Sequence, residues 1–148
     1  MHRVLKSVLV PHGAQQMFDL VDDVESYPEF VPWCSGAAVL ATQPDGKTAR
    51  LDIDYHGVRA HFTTDNVNIA GKSIVVTLKD GPFRHLHGEW TFKALAAQAC
   101  KVEFALAYEF SSLVLETLVG PVFSHIANTF IDAFVHRADS VRPPRNDA

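Results

Sequence analysis

The chain has 148 residues and a mass of 16.3 kDa, the size of one domain with one buried core. Hydrophobic residues make up 47% and charged residues 20%, which excludes a disordered chain, and a formal net charge of −4 excludes a general DNA or RNA binder. No stretch approaches the roughly 18 apolar residues of a membrane span, and Lys6 and Pro11 interrupt the apolar run that a signal peptide would need. Cys34 and Cys100 share no motif spacing. They read as two free thiols in a reducing cytoplasm, a disulfide between them being the other reading.

Residues 3–10 alternate between Val4, Lys6, Val8, Val10 and Arg3, Leu5, Ser7, Leu9, the period of a strand, and Pro11-His12-Gly13 ends it. Residues 14–24 carry Met17, Phe18, Leu20, Val21 and Val24 at helical spacing. In the segment Ser26-Tyr27-Pro28-Glu29-Phe30-Val31-Pro32-Trp33-Cys34 two prolines forbid a regular helix but allow a short helical turn starting near Pro28. From residue 37 the period becomes two. Strands are predicted over 37–43, 48–56, 58–69, 73–79, 84–95 and 100–110, with turns at Pro44-Asp45-Gly46-Lys47, Gly57, Ala70-Gly71-Lys72 and Asp80-Gly81-Pro82. A long helix from about 113 to 138 closes the chain. Pro121 inside it predicts either a kink or a fresh start. Residues 1–140 form one domain on this reading, and 141–148 a flexible tail.

These elements predict an α+β fold: a curved antiparallel sheet of about seven strands wrapped around the C-terminal helix, which alone is long enough to cover the sheet's apolar face. The side chains on that face include Tyr27, Phe30, Leu51, Ile53, Tyr55, Phe62, Ile74, Val76, Leu78, Leu86, Trp90, Phe92, Phe104, Leu106, Tyr108, Val119, Phe123, Ile126 and Phe130. No carboxylate, lysine or histidine is predicted among them. If helix and sheet enclose a cavity, it suits an apolar ligand with one or two hydrogen-bonding groups. If they close fully, the same residues form a solid core.

Other constellations carry less chemistry. His85, His87 and Glu89 share a strand face and could bind zinc only with a third element, such as His56 or His61; a polar outer face exposed to water is the preferred reading. Asp52 and Asp54 lie on a predicted solvated face. Cys34 has no legible His and acid partners for nucleophilic catalysis. The sequence therefore predicts no catalytic residue and no metal site. Arg3, Lys6, Arg137, Arg142 and Arg145 could gather into a basic patch at one end, or lie scattered on a solvated surface.

Three segments carry a family resemblance. They are Val24-Glu25-Ser26-Tyr27-Pro28-Glu29-Phe30-Val31-Pro32-Trp33-Cys34, Asp80-Gly81-Pro82-Phe83-Arg84-His85-Leu86-His87-Gly88-Glu89-Trp90-Thr91-Phe92, and Gly120-Pro121-Val122-Phe123-Ser124-His125-Ile126-Ala127 continuing to Ala138. With the strand order, the chain resembles the helix-grip START-like superfamily and, within it, the RatA and coenzyme-Q-binding family, also described as oligoketide or polyketide cyclase/dehydrase and lipid transport. The resemblance implies a cytoplasmic, non-catalytic carrier of a hydrophobic small molecule. That molecule would be a polyprenyl quinone (ubiquinone) or related lipid, with transient contact to membrane or quinone enzymes and support of respiration. One alternative it implies is a RatA-like toxin that binds the large ribosomal subunit and blocks subunit association; a second is a polyketide cyclase/dehydrase. The candidate ligand-binding residues are Tyr27, Phe30, Pro32, Trp33, Tyr55, Phe62, Leu78, Phe83, Trp90, Phe92, Phe104, Tyr108, Val119, Phe123, Ile126 and Phe130.

Overall fold

The computed structural model describes residues 1–141. Strand β1 (His2–Val10) leads into α1 (Ala14–Asp22) and a 3₁₀ turn (Val24–Glu29). Strands β2 (Cys34–Gln43), β3 (Gly46–Tyr55), β4 (Val58–Ile69), β5 (Ser73–Asp80), β6 (Phe83–Ala96) and β7 (Ala99–Phe110) follow, and then α2 (Leu113–Val141). The seven strands form one antiparallel sheet in the order β1-β7-β6-β5-β4-β3-β2, so α1 and the 3₁₀ turn carry the chain from one edge to the other. This is the helix-grip architecture predicted from the periodicity. Arg142, Arg145 and the tail from 142 onward lie outside the described residues.

The sheet's faces follow the alternation of the sequence. On β7, Cys100, Val102, Phe104, Leu106, Tyr108 and Phe110 are all buried, and on β6 so are Phe83, Leu86, Gly88, Trp90 and Phe92. The β3–β4 turn is two residues, His56 and Gly57, at φ 50° and 80°. Left-handed backbone at both positions is the hairpin geometry that matches strand twist. It fixes the register Tyr55↔Val58 and Leu51↔Phe62.

Against this face lies α2. Ser112 begins it, its Oγ accepting from the Leu115 amide at 3.1 Å. Val119, Phe123, Ile126, Ala127, Ile131, Phe134 and Ala138 form its buried stripe. The helix is continuous through Pro121. Proline leaves the Thr117 carbonyl without its helical donor, but both residues lie on the exposed side, where water serves instead. By length and composition α2 could cross a membrane, contrary to the sequence-based expectation. Its fully buried Phe134, which also touches the 3₁₀ turn, shows why it is so apolar: it is the core helix of the sheet.

Two local expectations change. The short helical turn begins at Val24, not near Pro28, because Asp23 organises it: the Ser26 hydroxyl donates to Asp23 Oδ2 at 2.6 Å and the Ser26 amide to Asp23 O at 3.2 Å. Strand β2 begins at Cys34, three residues early, because the Asp54 amide donates to Trp33 O at 3.0 Å and draws the chain onto β3.

Candidate functional site

Between α2 and the concave sheet lies a void of about 70 Å³. Of the sequence-predicted site residues, Tyr27, Trp33, Phe62, Trp90, Phe104, Phe123, Ile126 and Phe130 line it. Phe30, Pro32 and Tyr55 instead line a second, half-open pocket of about 310 Å³ beside α2, together with His125, Thr129, Asp132, Ala133 and His136. Trp33 borders both spaces. Leu78, Phe83, Phe92, Tyr108 and Val119 line neither. For Phe83 and Tyr108 the reason is that their rings pack on Phe123, at 4.9 and 4.7 Å between centroids. Phe92 is held by Phe18 of α1 at 5.7 Å.

The void is small because aromatic rings fill most of the space that strand periodicity left open. Phe130 stands 5.5 Å from Trp90, 5.4 Å from Trp33 and 5.7 Å from Phe104, measured between centroids. A cavity of about 150 Å³ holds benzene, so the present void takes a group of a few atoms. A larger ligand must move side chains.

Ten lining residues lie outside the predicted ligand-binding set: Leu51, Val76, Leu86 and Leu106, which were predicted only to face inward, and Val24, Ala49, Thr64, Asn66, Gly88 and Ala127. Gly88 is buried on the inner face of β6, where a Cβ would stand 3.3 Å from Leu106 Cδ1, so only glycine fits there without moving Leu106. Thr64 and Asn66 are the polar members of the wall. The Thr64 hydroxyl donates to Asn66 Oδ1 at 2.8 Å. The hairpin register was the available signal: with Phe62 facing in, positions 64, 66 and 68 must face in too.

The inner face also carries a charge pair that sequence reasoning excluded. Lys47 shares the core-facing side of β3 with Ala49. Its Nζ donates to Asp22 O at 2.8 Å and lies 3.2 Å from Asp22 Oδ1, beneath the end of α1. Asn68 Nδ2 donates to the same Oδ1 at 2.7 Å. This pair is not on the wall of the void.

Burial controls the protonation of the groups around the void. The Tyr27 phenol is raised far above its ordinary value, by burial first and then by Asp22 and the neighbouring acids. Its hydroxyl donates to Val21 O at 2.5 Å, so it points at α1 and is spent on the fold. Burial pushes the Cys34 thiol up to about 11, and the thiol donates to Gly36 O at 3.2 Å. Tyr108 is raised, again by burial first. All three stay neutral at neutral pH. At the outer pocket, the Tyr55 and His125 rings are nearly parallel at 5.8 Å. Arg137 lies over the Phe30 ring at 5.1 Å and reaches Glu29 Oε1 at 3.2 Å, tying the proline-rich segment to α2. Among the described residues no three His, Cys, Asp or Glu side chains stand close enough to hold a metal ion. His85, His87 and Glu89 are exposed on the outer face of β6.

The fold, with an apolar void between helix and sheet, is that of a helix-grip, START-like domain. The family described as polyketide cyclase/dehydrase and lipid transport matches residues 10–135, and the chain belongs to that family. The ribosome association toxin RatA of Pseudomonas aeruginosa is 42% identical over 135 residues, 91% of this chain and 94% of that protein. RatA of Escherichia coli K12 is 40% identical, over 98% of this chain and 92% of that protein. The mitochondrial coenzyme Q-binding protein COQ10 homolog B of Xenopus laevis is 27% identical, over 92% of this chain and 57% of that protein. Among solved structures, an 18 kDa protein of Caulobacter crescentus superposes with a TM-score of 0.74 at 30% identity, covering 95% of this chain and 98% of that one. The ZhuI aromatase/cyclase of a Streptomyces species does so with a TM-score of 0.78 at 19% identity, covering 95% and 96%, a likeness of fold.

Proposed function

We propose that this protein binds a neutral apolar molecule of the polyprenyl quinone or lipid class between α2 and the sheet and carries it shielded from water, supporting respiration without transforming it. The observation that carries this reading is the void itself: its wall is aliphatic and aromatic apart from Thr64 and Asn66, and no ionised group stands on it. Burial of apolar ligand surface there contributes about 25 cal/mol per Å² before the costs of association and of moving side chains. The similarity to a coenzyme Q-binding protein agrees in ligand class. Leu113, Val114 and Leu118, each at least 66% exposed at the start of α2, offer an apolar surface for brief contact with a membrane or a quinone enzyme. Cyclase chemistry finds less support, because the Tyr27 hydroxyl is already bonded to Val21 O.

Solvent extraction and mass spectrometry of purified protein, followed by quinone titration, test the proposal. Recovery of an isoprenoid or acyl species and saturable quinone binding are expected; absence of both refutes it. A second reading is association with the large ribosomal subunit, favoured by relatives at 40 to 42% identity along nearly the whole chain that bear that name. Its test is a sucrose-gradient profile after overproduction, in which free subunits accumulate if subunit joining is blocked. Of the basic residues considered for such contact, Arg137 is engaged with Glu29 and Phe30, and Arg3 and Lys6 lie on opposite faces of β1.

A further inference from the structure

We infer that Asn66 is the polar anchor of the void: its side-chain amide donates to an oxygen of the ligand, so the ligand that fits is a neutral molecule with a carbonyl or ether oxygen, neither a plain hydrocarbon nor a carboxylate. This rests on the ligand-binding reading above and assigns it a residue and a chemical preference.

The starting point is a reversal of pattern along β4. Thr64, Asn66 and Asn68 face the core side, whereas Val67 and Ile69 are 48% and 58% exposed. Placing amides inside and aliphatics outside costs stability unless the amides are used. Two of the three polar residues have structural uses. Asn68 joins the Asp22–Lys47 pair under α1, and Thr64 donates to Asn66 Oδ1. That bond fixes the orientation of the Asn66 amide and leaves its Nδ2 group, with two N–H donors, without a protein acceptor among the described residues.

The row across the sheet gives the apolar neighbours of Asn66. Asn66 pairs with Val76, Val76 with Gly88, and Gly88 with Leu106. All four line the void. Gly88 adds no side chain to that wall, so a ligand lying along the row runs from Gly88 on β6 across Val76 to the amide on β4. An anion there would find no opposite charge, because Lys47, the nearest core-facing cation in the register, is engaged by Asp22. A hydrocarbon would leave the donor unsatisfied.

The test compares a benzoquinone with a short alkyl tail and an alkylbenzene of equal tail length, titrated against the full chain by tryptophan fluorescence, since Trp33 and Trp90 both line the void. Asn66→Leu removes the donor at similar size, Asn66→Asp replaces it by an acceptor, and Gly88→Val adds a side chain to that wall. The expected result is a loss of about three- to tenfold in quinone affinity for N66L, the worth of one hydrogen bond, with alkylbenzene affinity kept or raised. N66D loses quinone binding at least as far, and G88V weakens both probes. Equal losses of both probes in N66L, or none, overturn the anchor while leaving the ligand reading intact. Binding of neither probe by the unaltered protein overturns both. Should N66L fail to fold, N66D decides: unchanged quinone affinity there refutes the anchor.

Discussion

Truncating two neighbouring phenylalanines of α2 separates a filled core from a bordered void. Phe134 is fully buried and packs edge-to-face against Tyr27 at 5.1 Å, Trp90 at 5.2 Å, Phe30 at 5.3 Å and Phe130 at 5.1 Å. Phe→Ala in a core costs about 3–5 kcal/mol, and each edge-to-face pair adds about 0.5–1.5 kcal/mol, so Phe134→Ala belongs near about 5 kcal/mol. Phe130 also meets Tyr27, Trp33, Trp90, Phe104 and Phe134, but it is only partly buried and borders the void, so its truncation gives up less burial and leaves less new cavity. Phe130→Ala therefore costs about 3 kcal/mol or less. For a domain of this size these losses lower Tm by about 10–20 °C and about 6–12 °C. Guanidinium unfolding with unchanged m-values reads the difference. Phe130→Ala also joins the volume of its ring to the void, so it takes up benzene more tightly than the unaltered protein, whereas Phe134→Ala does so less. Equal destabilisation by the two substitutions, with no gain in benzene uptake by Phe130→Ala, would refute the division between packed and bordered rings.

Local geometry sets the remaining outcomes. Cys34, raised to about 11 by burial, is alkylated slowly at neutral pH and faster only as pH approaches that value; labelling at the rate of an unfolded thiol contradicts its burial. Because the unfolded thiol ionises first, Cys34 contributes a fall in stability as pH rises from the ordinary thiol range to about 11, seen as a declining denaturation midpoint that Cys34→Ala attenuates. His12 is 2% exposed and its Nε2 lies 2.7 Å from Asp139 Oδ1, tying the end of α2 to the loop after β1. With Asp139 half-exposed, a double-mutant cycle of His12→Phe and Asp139→Ala should show about 1–1.5 kcal/mol of coupling, and none if the pair is incidental. Gly57→Val places a branched side chain at φ 80°, where its Cβ meets nothing, so the cost is backbone strain alone, about 1–2 kcal/mol in thermal unfolding; no loss would contradict the left-handed turn.

The fold was legible because its two periods are clean. The core-facing alternation of β6 and β7 and the apolar stripe of α2 leave little choice about which faces meet. The proline-rich segment was legible as irregular but not in detail, since its course depends on one side-chain bond from Ser26 to Asp23 and one backbone bond from Asp54 to Trp33, neither of which has a period. The site was legible in part for a related reason. Periodicity says that Phe83, Phe92 and Tyr108 face inward, which they do, but facing inward and bordering empty space differ by the rings packed in front of them. Void volume is a residual of packing among many side chains, and no single position encodes it.

Asn66 shows how a polar residue is held on an apolar wall. Sliding β4 by one position would restore the expected pattern at its far end, turning Val67 and Ile69 in and Asn66 out. The same slip would expel Phe62, whose ring packs on Phe83 at 5.9 Å and Phe123 at 6.3 Å, because register moves every side chain of a strand together. The two-residue turn at His56 and Gly57 opposes the slip as well, since its left-handed backbone sets Tyr55 opposite Val58. Phe62 and the turn thus fix the register at the near end of β4, and the far end must accept it. A donor on the inner wall is sustained by aromatic packing four residues away, so weakening that packing, as in Phe62→Ala, should release the far end of β4 and raise amide exchange at Asn66 above that at Leu51, which hydrogen exchange can read residue by residue.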